Sequence, residues 1–339
     1  MFKWDHPAHR RAVSGANEAE SKPVLLTGAT GFVGRSLYPF LVDAGHRVRC
    51  AARRPDDARA AHPDREWVRL DLDDPPTVDA ALEGCRAAFF LIHRMSDRSD
   101  YEEQERRDAE RFARAAERAG VERIVYLGGM KPEGRLSKHL RSRVVCGEAL
   151  RSTSVPVVEL RAAMVIGSGS ESWRIVRDLS ARLPFMLLPT WLESRSQPIG
   201  IRDVCFALTK ALELPDDQAG CHDLPGPETL SAKEILVRVS RLLGHDPWTV
   251  RVPVVTPKLS SYWIQLVTRA NPKLARELVD GLREDLVSPD AGFWKMYPDY
   301  ERSSFDAAAE RALTEENEGL SDRTRKTEAW LQRLRGFSR

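Results

Sequence analysis

Thr27-Gly-Ala-Thr-Gly-Phe-Val-Gly34 is the most informative stretch of this sequence. It follows a short apolar run, Val24–Leu26, and opens a segment of helical character over residues 32–44. In a strand, glycine turn and helix of this order, the first glycine permits the tight turn, the second lets an anion approach, and the third lets helix and strand pack closely. Backbone N–H groups at the helix start then face the pyrophosphate of a dinucleotide. We therefore predict a dinucleotide site in preference to a purely structural turn, formed by Thr27, Gly28, Thr30, Gly31, Phe32, Val33 and Gly34.

Strands and helices alternate after this turn. Apolar runs predict strands at residues 47–52, 67–70, 87–92, 124–127 and 157–160. Amphipathic patterns predict helices at residues 32–44, 77–82, 101–119 and 136–151. Gly45 and Gly120 directly follow two of these helices, where a left-handed cap residue is favoured. The alternation predicts an α/β fold, a Rossmann-type doubly wound parallel sheet with helices on both faces.

The end of the second predicted strand bears on the choice of dinucleotide. In NAD-preferring proteins an acidic residue ends this strand and binds the adenosine ribose hydroxyls. Here Arg53 and Arg54 follow the strand, and the first carboxylate is Asp56. Two guanidinium groups suit a 2′-phosphate. We therefore predict that NADP(H) is preferred over NAD(H), the alternative being two surface arginines in an arginine-rich chain.

The ends of the next two strands are expected to contact other parts of the dinucleotide. Asp71 and Leu72 follow the third strand, beside the expected adenine. Asp71 accepts a hydrogen bond from the adenine amino group or caps the next helix, and the sequence leaves both roles open. Leu91 and His93 end the fourth strand, where we expect the nicotinamide ribose. For His93, lining that site and capping the strand are equally supported.

Composition narrows the class of protein. The 339 residues carry a net charge of +2 and include 42% hydrophobic and 30% charged residues, which describes a globular protein without a nucleic-acid partner. Five scattered cysteines, Cys50, Cys85, Cys146, Cys205 and Cys221, form no CxxC pair and indicate reduced thiols in the cytoplasm and no metal site. No apolar run approaches the length of a membrane span. Residues 259–267 are apolar, but a pocket or small core explains them better than contact with a membrane surface.

These motifs resemble a known superfamily. The glycine turn, the basic end of the second strand and Asp71-Leu72 are similar to the extended or atypical branch of the short-chain dehydrogenases/reductases. Residues 23–315 further resemble the uncharacterised bacterial YbjT-type group. The motifs that carry this likeness are Tyr126-Leu-Gly-Gly129, His139-Leu-Arg-Ser-Arg143, Glu159-Leu-Arg-Ala-Ala-Met-Val-Ile-Gly-Ser-Gly-Ser170, Gln197-Pro-Ile-Gly-Ile-Arg-Asp-Val204 and Gly281-Leu-Arg-Glu-Asp-Leu286.

The sequence departs from the superfamily at the expected catalytic residues. The resemblance implies a Ser or Thr after the fifth strand, but Gly128 and Gly129 lie there, and His139-x-x-x-Arg143 replaces Tyr-x-x-x-Lys. The i,i+4 spacing puts His139 and Arg143 on one helix face. Two roles stay open for them. In one, His139 transfers a proton, Arg143 binds cofactor or substrate, and the N–H of Gly129 or Met130 replaces the lost hydroxyl; in the other, they hold helix and cofactor in place.

Other residues are weaker candidates. We interpret Tyr126 as core. Gly167-Ser-Gly-Ser170 is expected to form a loop over the nicotinamide, its hydroxyls meeting phosphate or substrate or capping the next helix. Arg161 is expected to support that loop through an ion pair. Three tryptophans either line an apolar substrate cavity or belong to the core: Trp173, Trp191 and Trp263.

A second, smaller unit is expected after the sheet. Leu224-Pro-Gly-Pro-Glu228 reads as a turn-rich hinge, and residues 231–243 as an amphipathic helix. We therefore predict a flexible tail at 1–21, a Rossmann domain at 22–225, and a smaller C-terminal α/β lid at 226–315. Residues 168–195 contribute in part to the lid, and 316–339 form a tail or short helix.

Two functions are compatible with these features. The first is an NADPH-dependent oxidoreductase or epimerase acting on a small or lipid-like carbonyl compound. The second is an NADP(H)-binding sensor or assembly module that acts through a protein partner. A lid favours the enzyme, whereas the missing Ser and Tyr favour the sensor.

Overall fold

The computed structural model describes residues 22–93, 101–132, 134, 136–182, 185–189, 193–252, 284–289 and 292–319. Both predicted tails lie outside these ranges, apart from residues 316–319. So do Trp191, Trp263 and the apolar segment 259–267.

A parallel sheet of seven strands forms the centre of the molecule. Its order is β3-β2-β1-β4-β5-β6-β11, so the chain reverses direction across the sheet between β1 and β4. In such sheets, ligands bind at the carboxyl ends of the strands beside this reversal. The strands are β1 Val24–Leu26, β2 Val48–Ala52, β3 Glu66–Arg69, β4 Ala87–Phe90, β5 Arg123–Gly129, β6 Val157–Ala162, β7 Val165–Ile166, β8 Phe185–Pro189, β9 Arg195–Ser196, β10 Ile199–Gly200, β11 Gly220–Asp223, β12 Leu230–Ser231 and β13 Trp248–Val252.

The predicted alternation of strands and helices is confirmed. The described helices are α1 Phe32–Asp43, α2 Pro55–Ala61, α3 Pro75–Leu82, α4 Tyr101–Arg118, α5 Lys138–Leu150, α6 Glu171–Arg182, α7 Ile201–Ala211, α8 Ala232–Leu242, α9 Gly292–Lys295 and α10 Phe305–Gly319, with a 3₁₀ turn at Asp216–Gln218. Helix α2 was not predicted, since its seven residues bury little besides Ala58 and so lack an amphipathic pattern. The predicted caps Gly45 and Gly120 adopt φ of 86° and 68°.

Both faces of the sheet are buried, because successive strand residues point to opposite sides. In β1, Val24 and Leu26 pack with α1 and α7, whereas Leu25 packs with α3, α4 and α5. Tyr126 is fully buried on the second face, which confirms its assignment to the core. The result is a three-layer α/β fold, as predicted.

A third apolar cluster joins α6, α8 and α10. Trp173 is fully buried in it, with Phe305 and Val239, so its interpretation as core is confirmed. Helix α8 begins at a capping box in which Ser231 and Glu234 satisfy each other's backbone N–H groups. The division at residue 226 remains a prediction.

Residues 292–300 fall in the range predicted for the lid but pack against the sheet. Phe293 and Trp294 are buried against the sheet, and Tyr300 stacks on Phe206 of α7 with ring centroids 3.7 Å apart. The buried carboxylate of Asp203 fastens this return, accepting from the Tyr300 hydroxyl at 2.8 Å. Part of the predicted lid therefore supports the sheet.

Two absences hold for the described part of the chain. None of its helices is long and apolar enough to cross a membrane. Its His, Cys, Asp and Glu side chains form no group able to hold a metal ion. All five cysteines are free thiols, and Cys221 is the exposed one.

Candidate functional site

The glycine turn is built so tightly that side chains are excluded. Gly28 adopts φ of +63°, and a Cβ added there would lie 2.6 Å from the Leu91 carbonyl oxygen. A Cβ on Gly34 would lie 2.2 Å from the Gly28 carbonyl oxygen, and one on Gly31 would lie 3.2 Å from it. Gly28 and Gly34 are therefore required by backbone that passes close to them, and Gly31 packs tightly against the Gly28 carbonyl, which fits a pyrophosphate-binding turn.

The start of α1 leaves backbone donors facing away from the sheet. Arg35 makes the first intrahelical hydrogen bond, to Gly31, so the N–H groups of Phe32, Val33 and Gly34 precede the regular ladder. Gly31 is the N-cap without a side-chain cap, and the first turn carries no acidic residue. Gly31 and its neighbour Thr30 are exposed. Such a helix end suits a diphosphate.

Thr27 supports the turn from below. Its buried hydroxyl donates to the Phe89 carbonyl at 2.8 Å and accepts from the Leu91 N–H at 3.0 Å. This ties the end of β1 to the end of β4. Cofactor binding by Thr27 stays a prediction, and its side chain joins the strands between which the cofactor is expected. Leu91 then presents its backbone beside Gly28.

The two arginines after β2 differ in their surroundings. Both are exposed. Arg54 is the N-cap residue of α2 and forms an ion pair with Asp57 at 3.3 Å. No described residue pairs with Arg53. The guanidinium of Arg53 is thus the better placed of the two for a phosphate.

The end of β3 forms a compact turn. One carboxylate oxygen of Asp71 accepts from the N–H of Asp73 at 3.1 Å, while Thr77 accepts from the Asp71 N–H. Asp74, and not Asp71, is the N-cap residue of α3, and the Asp74 side chain makes no cap hydrogen bond. Leu72 is buried. An adenine contact by Asp71 remains a prediction.

The loop at 167–170 lies against the first turn of α1. A Cβ on Gly167 would lie 2.9 Å from the Phe32 ring, and Arg35 donates to the Ser168 carbonyl at 3.2 Å. Ser170 is buried, donates to the Val165 carbonyl and accepts from the Trp173 N–H at 3.4 Å. Its hydroxyl therefore caps α6, the second of the two roles considered for it.

A buried carboxylate lies close to Gly128 at the end of β5 and to Gly147 of α5. A Cβ on Gly128 would lie 2.8 Å from Oε1 of Glu159, and one on Gly147 would lie 2.3 Å from Oε2. Glu159 pairs with Arg151 and, at 2.8 Å, with Arg161. The predicted ion pair of Arg161 is thus confirmed, although it braces β6 and not the loop. The Ser of the superfamily has no room at residue 128.

His139 and Arg143 lie on α5 beside the end of β5. A Cβ on Gly129 would lie 3.6 Å from Arg143 Cγ, so Arg143 passes the strand end. Burial, Arg143 and His93 together lower the pKa of His139 to about 3, which keeps its imidazole neutral at neutral pH. The Met130 N–H is donated to the Ala162 carbonyl and cannot serve as the expected oxyanion donor.

His93 meets this pair from the end of β4. Its ring lies edge-on to that of His139, with centroids 5.2 Å apart. Its Nδ1 contacts the buried carboxylate of Glu105 on α4. Burial and the Arg143 guanidinium lower the pKa of His93, while Glu105 opposes them. His93, His139 and Arg143 thus lie close together and form what we call the pocket. His93 is two residues beyond Leu91, whose backbone contacts the glycine turn.

Sequence reasoning missed the contribution of Glu105 on α4 to this pocket. Glu105 and Tyr101 on α4, and Lys138 at the start of α5, were predicted only as parts of amphipathic helices. Glu105 is instead buried, and the Lys138 ammonium lies 4.4 Å from the centroid of the buried Tyr101 ring. The signal was weak but present, since Tyr101, Glu105 and Asp108 fall on the same face of α4 as the apolar residues.

The comparisons with known proteins agree with this geometry. The sequence profile of a family described as NAD(P)H-binding matches residues 28–177. A protein from Synechocystis sp. assigned as a dihydroflavonol 4-reductase is 31% identical over 273 residues, covering 71% of this chain and 78% of the relative. The chain belongs to the atypical short-chain dehydrogenase/reductase superfamily. The matched NAD(P)H-binding region, residues 28–177, contains the glycine turn. The resemblance to the YbjT-type group is consistent with this assignment.

Two further relatives of this superfamily member are informative. A (4-alkanoyl-5-oxo-2,5-dihydrofuran-3-yl)methyl phosphate reductase from Streptomyces griseus is 29% identical over 230 residues, 66% of this chain and 74% of the relative. The crystal structure of Citrobacter sp. triphenylmethane reductase complexed with NADP(H) covers 86% of this chain and 99% of its own, with a TM-score of 0.67 and 16% identity. The latter likeness shows the shared fold.

Proposed function

We propose that this protein is an NADPH-dependent oxidoreductase or epimerase acting on a small or lipid-like carbonyl compound. The observation that carries the proposal is the grouping of a neutral imidazole, His139, and a guanidinium, Arg143, with His93, which lies two residues beyond the Leu91 backbone that contacts the glycine turn. When bound, the reduced nicotinamide supplies a hydride. The relatives named above are reductases, which supports the reductive direction.

The residues of the chain divide the remaining work. The glycine turn lets the diphosphate approach the backbone N–H groups of Phe32, Val33 and Gly34, and Arg53 binds the 2′-phosphate of NADPH. Arg143 stabilises the negative charge that develops on the substrate oxygen, because a guanidinium keeps its charge in a buried site. A histidine with a pKa of about 3 is a poor proton relay at neutral pH, so His139 acts as a neutral hydrogen-bonding group that orients that oxygen.

Turnover tests this proposal. The purified chain is assayed for NADPH oxidation against a panel of ketones, aldehydes and quinones. We expect at least one member to be reduced, and Arg143→Gln to lower kcat/KM by about 100-fold, the usual loss when one oxyanion donor is removed. Arg141→Gln is the matched control, since Arg141 is exposed on the same helix. Equal losses in both variants would contradict the role of Arg143.

The second candidate is an NADP(H)-responsive module that acts through a protein partner. It is favoured by one observation, the replacement of Ser and Tyr by Gly128 and His139. Tight NADPH binding with no turnover of any panel member would favour this candidate. We propose a cytoplasmic location for either activity, which the free cysteines support.

A further inference from the structure

His93 and Glu105 form a dyad at the carboxyl end of the sheet. We propose that His93 is the proton-transferring group of this pocket, and that Glu105 is its positioning residue. The proposal rests on the proposed oxidoreductase function and supplies the acid–base group that the missing Tyr leaves unassigned.

The geometry defines which nitrogen carries the proton. Nδ1 of His93 contacts the Glu105 carboxylate, and Glu105 is buried between α4 and α5. Burial raises the pKa of Glu105, but the contact with His93, a hydrogen bond with Ser142 and the charge of Arg143 together outweigh this and leave that pKa below its ordinary value. An ionised carboxylate only accepts, so the hydrogen of neutral His93 lies on Nδ1. The lone pair of the ring is then on Nε2.

Nε2 of His93 is the functional end of this dyad. It is buried, and no described residue forms a hydrogen bond with it. A buried imidazole nitrogen without a partner is unfavourable unless a ligand or substrate supplies one. His93 lies two residues beyond the Leu91 backbone that contacts Gly28, after the carboxyl end of β4 where the nicotinamide ribose is expected.

The proton balance follows from this placement. In carbonyl reduction the C=O π bond breaks, and a C–H bond forms with hydride from the reduced nicotinamide. The O–H bond forms with the proton on Nε2 of protonated His93. His93 is left neutral with its hydrogen on Nδ1 toward Glu105, and solvent restores the Nε2 proton. In alcohol oxidation, neutral Nε2 accepts the same proton.

The surrounding charges set the pH dependence. Glu105 from α4 and His139 and Arg143 from α5 face His93. Burial and Arg143 lower the pKa of His93 against the opposing effect of Glu105. The protonated donor therefore becomes more abundant as pH falls. We expect kcat/KM for reduction to rise toward acidic pH. The midpoint of this rise, called the pH limb below, is expected to lie under the ordinary histidine pKa of about 6.5.

The test combines kinetics with a readout that needs no turnover. His93→Gln is expected to lower carbonyl reduction by about 100-fold or more and to abolish the pH limb, with NADPH affinity close to wild type. Glu105→Gln is expected to displace the limb, and Glu105→Asp to restore it in part. Nitrogen-15 NMR of labelled histidine in the full chain is expected to show His93 in the Nδ1–H form, and Glu105→Gln to reduce that preference.

His46 is the matched control. It is half-buried, its pKa is lowered by burial and Arg86, and its Nε2 is also without a hydrogen-bond partner among the described residues. His46 lies before β2, at the amino ends of the strands, whereas His93 lies at their carboxyl ends. His46→Gln is therefore expected to leave the pH limb unchanged. An Nε2–H form of His93, or a wild-type pH limb in His93→Gln, would overturn the dyad alone. A wild-type chain that binds NADPH and reduces no panel carbonyl would overturn the proposed function, and the dyad's role with it.

Discussion

The phosphate-binding turn and the proton-transfer pocket lie at neighbouring strand ends but are built in different ways. The turn is shaped by main-chain atoms. Its three glycines lie where a Cβ would come within 2.2 to 3.2 Å of the backbone. The pocket uses side chains from β4, α4 and α5, among them His93, Glu105 and Arg143. The turn keeps the pattern of its superfamily, whereas the pocket departs from it. Backbone sites tolerate few sequences, but a side-chain site can be rebuilt around different groups.

The largest expected effect comes from crowding the turn. Gly34→Ala puts a methyl group 2.2 Å from the Gly28 carbonyl oxygen, so the turn must open. Overpacking of this kind costs about 1–3 kcal/mol, which we expect as a 10- to 100-fold loss of NADPH affinity. Calorimetric titration measures it.

Gly45→Ala is the control for Gly34→Ala. An added Cβ at Gly45 meets nothing within 4 Å, although its φ of +86° makes the substitution strained. We expect a loss of about 1 kcal/mol of stability with unchanged NADPH affinity. Equal affinity losses in the two variants would show that glycine backbone at residue 34 does not shape the site.

The pocket is expected to make stability depend on pH. The folded-state pKa of His139 is about 3, below its unfolded value, so the unfolded chain binds the proton first as pH falls. Stability from this group is present above about pH 6.5 and is lost progressively toward pH 3, by about 2 kcal/mol between pH 7 and pH 5. Denaturant unfolding of wild type and His139→Gln at both pH values measures the difference. An equal decline in the two proteins would contradict the buried, neutral His139.

A smaller effect is expected at the two exposed arginines that follow β2. Arg53→Ala should weaken NADPH binding by about tenfold, or 1.4 kcal/mol, and leave NADH binding unchanged, because only NADPH carries the 2′-phosphate. Arg54→Ala should have the weaker effect, since Asp57 already pairs with Arg54. Parallel losses for both nucleotides would show that neither arginine recognises the phosphate.

The smallest expected effect tests whether Ser170 supports helix α6 or contacts the cofactor. Ser170 caps α6, so Ser170→Ala should cost about 1 kcal/mol of stability and leave NADPH affinity unchanged. Thermal unfolding and titration of the same variant measure both quantities. A selective loss of affinity would instead make Ser170 a phosphate ligand.

The sequence was sufficient for the sheet because its strands and glycine caps carry local signals. The positions of β1, β2, β4 and β5 follow from apolar runs that are largely buried on both faces. Helix α2 gave no such signal, since it is short and mostly exposed.

The pocket was predictable only in part. His139 and Arg143 were found because i,i+4 spacing is local, but the partner of His93 lies twelve residues away on α4. The reason for Gly128 was also hidden, since Glu159 fills the space from another strand. Glu105 lies in a charged segment of the sequence, and its burial became apparent only from the tertiary structure.

Side-by-side calorimetric titration of the purified chain with NADPH and NADH tests the central claim most directly, because both the turn and the pocket are assigned around the same nucleotide. We predict one NADPH bound per chain, more tightly than NADH, with the preference weakened by salt that screens the exposed Arg53. Failure to bind either nucleotide would contradict the account of the glycine turn and of the pocket built beside it.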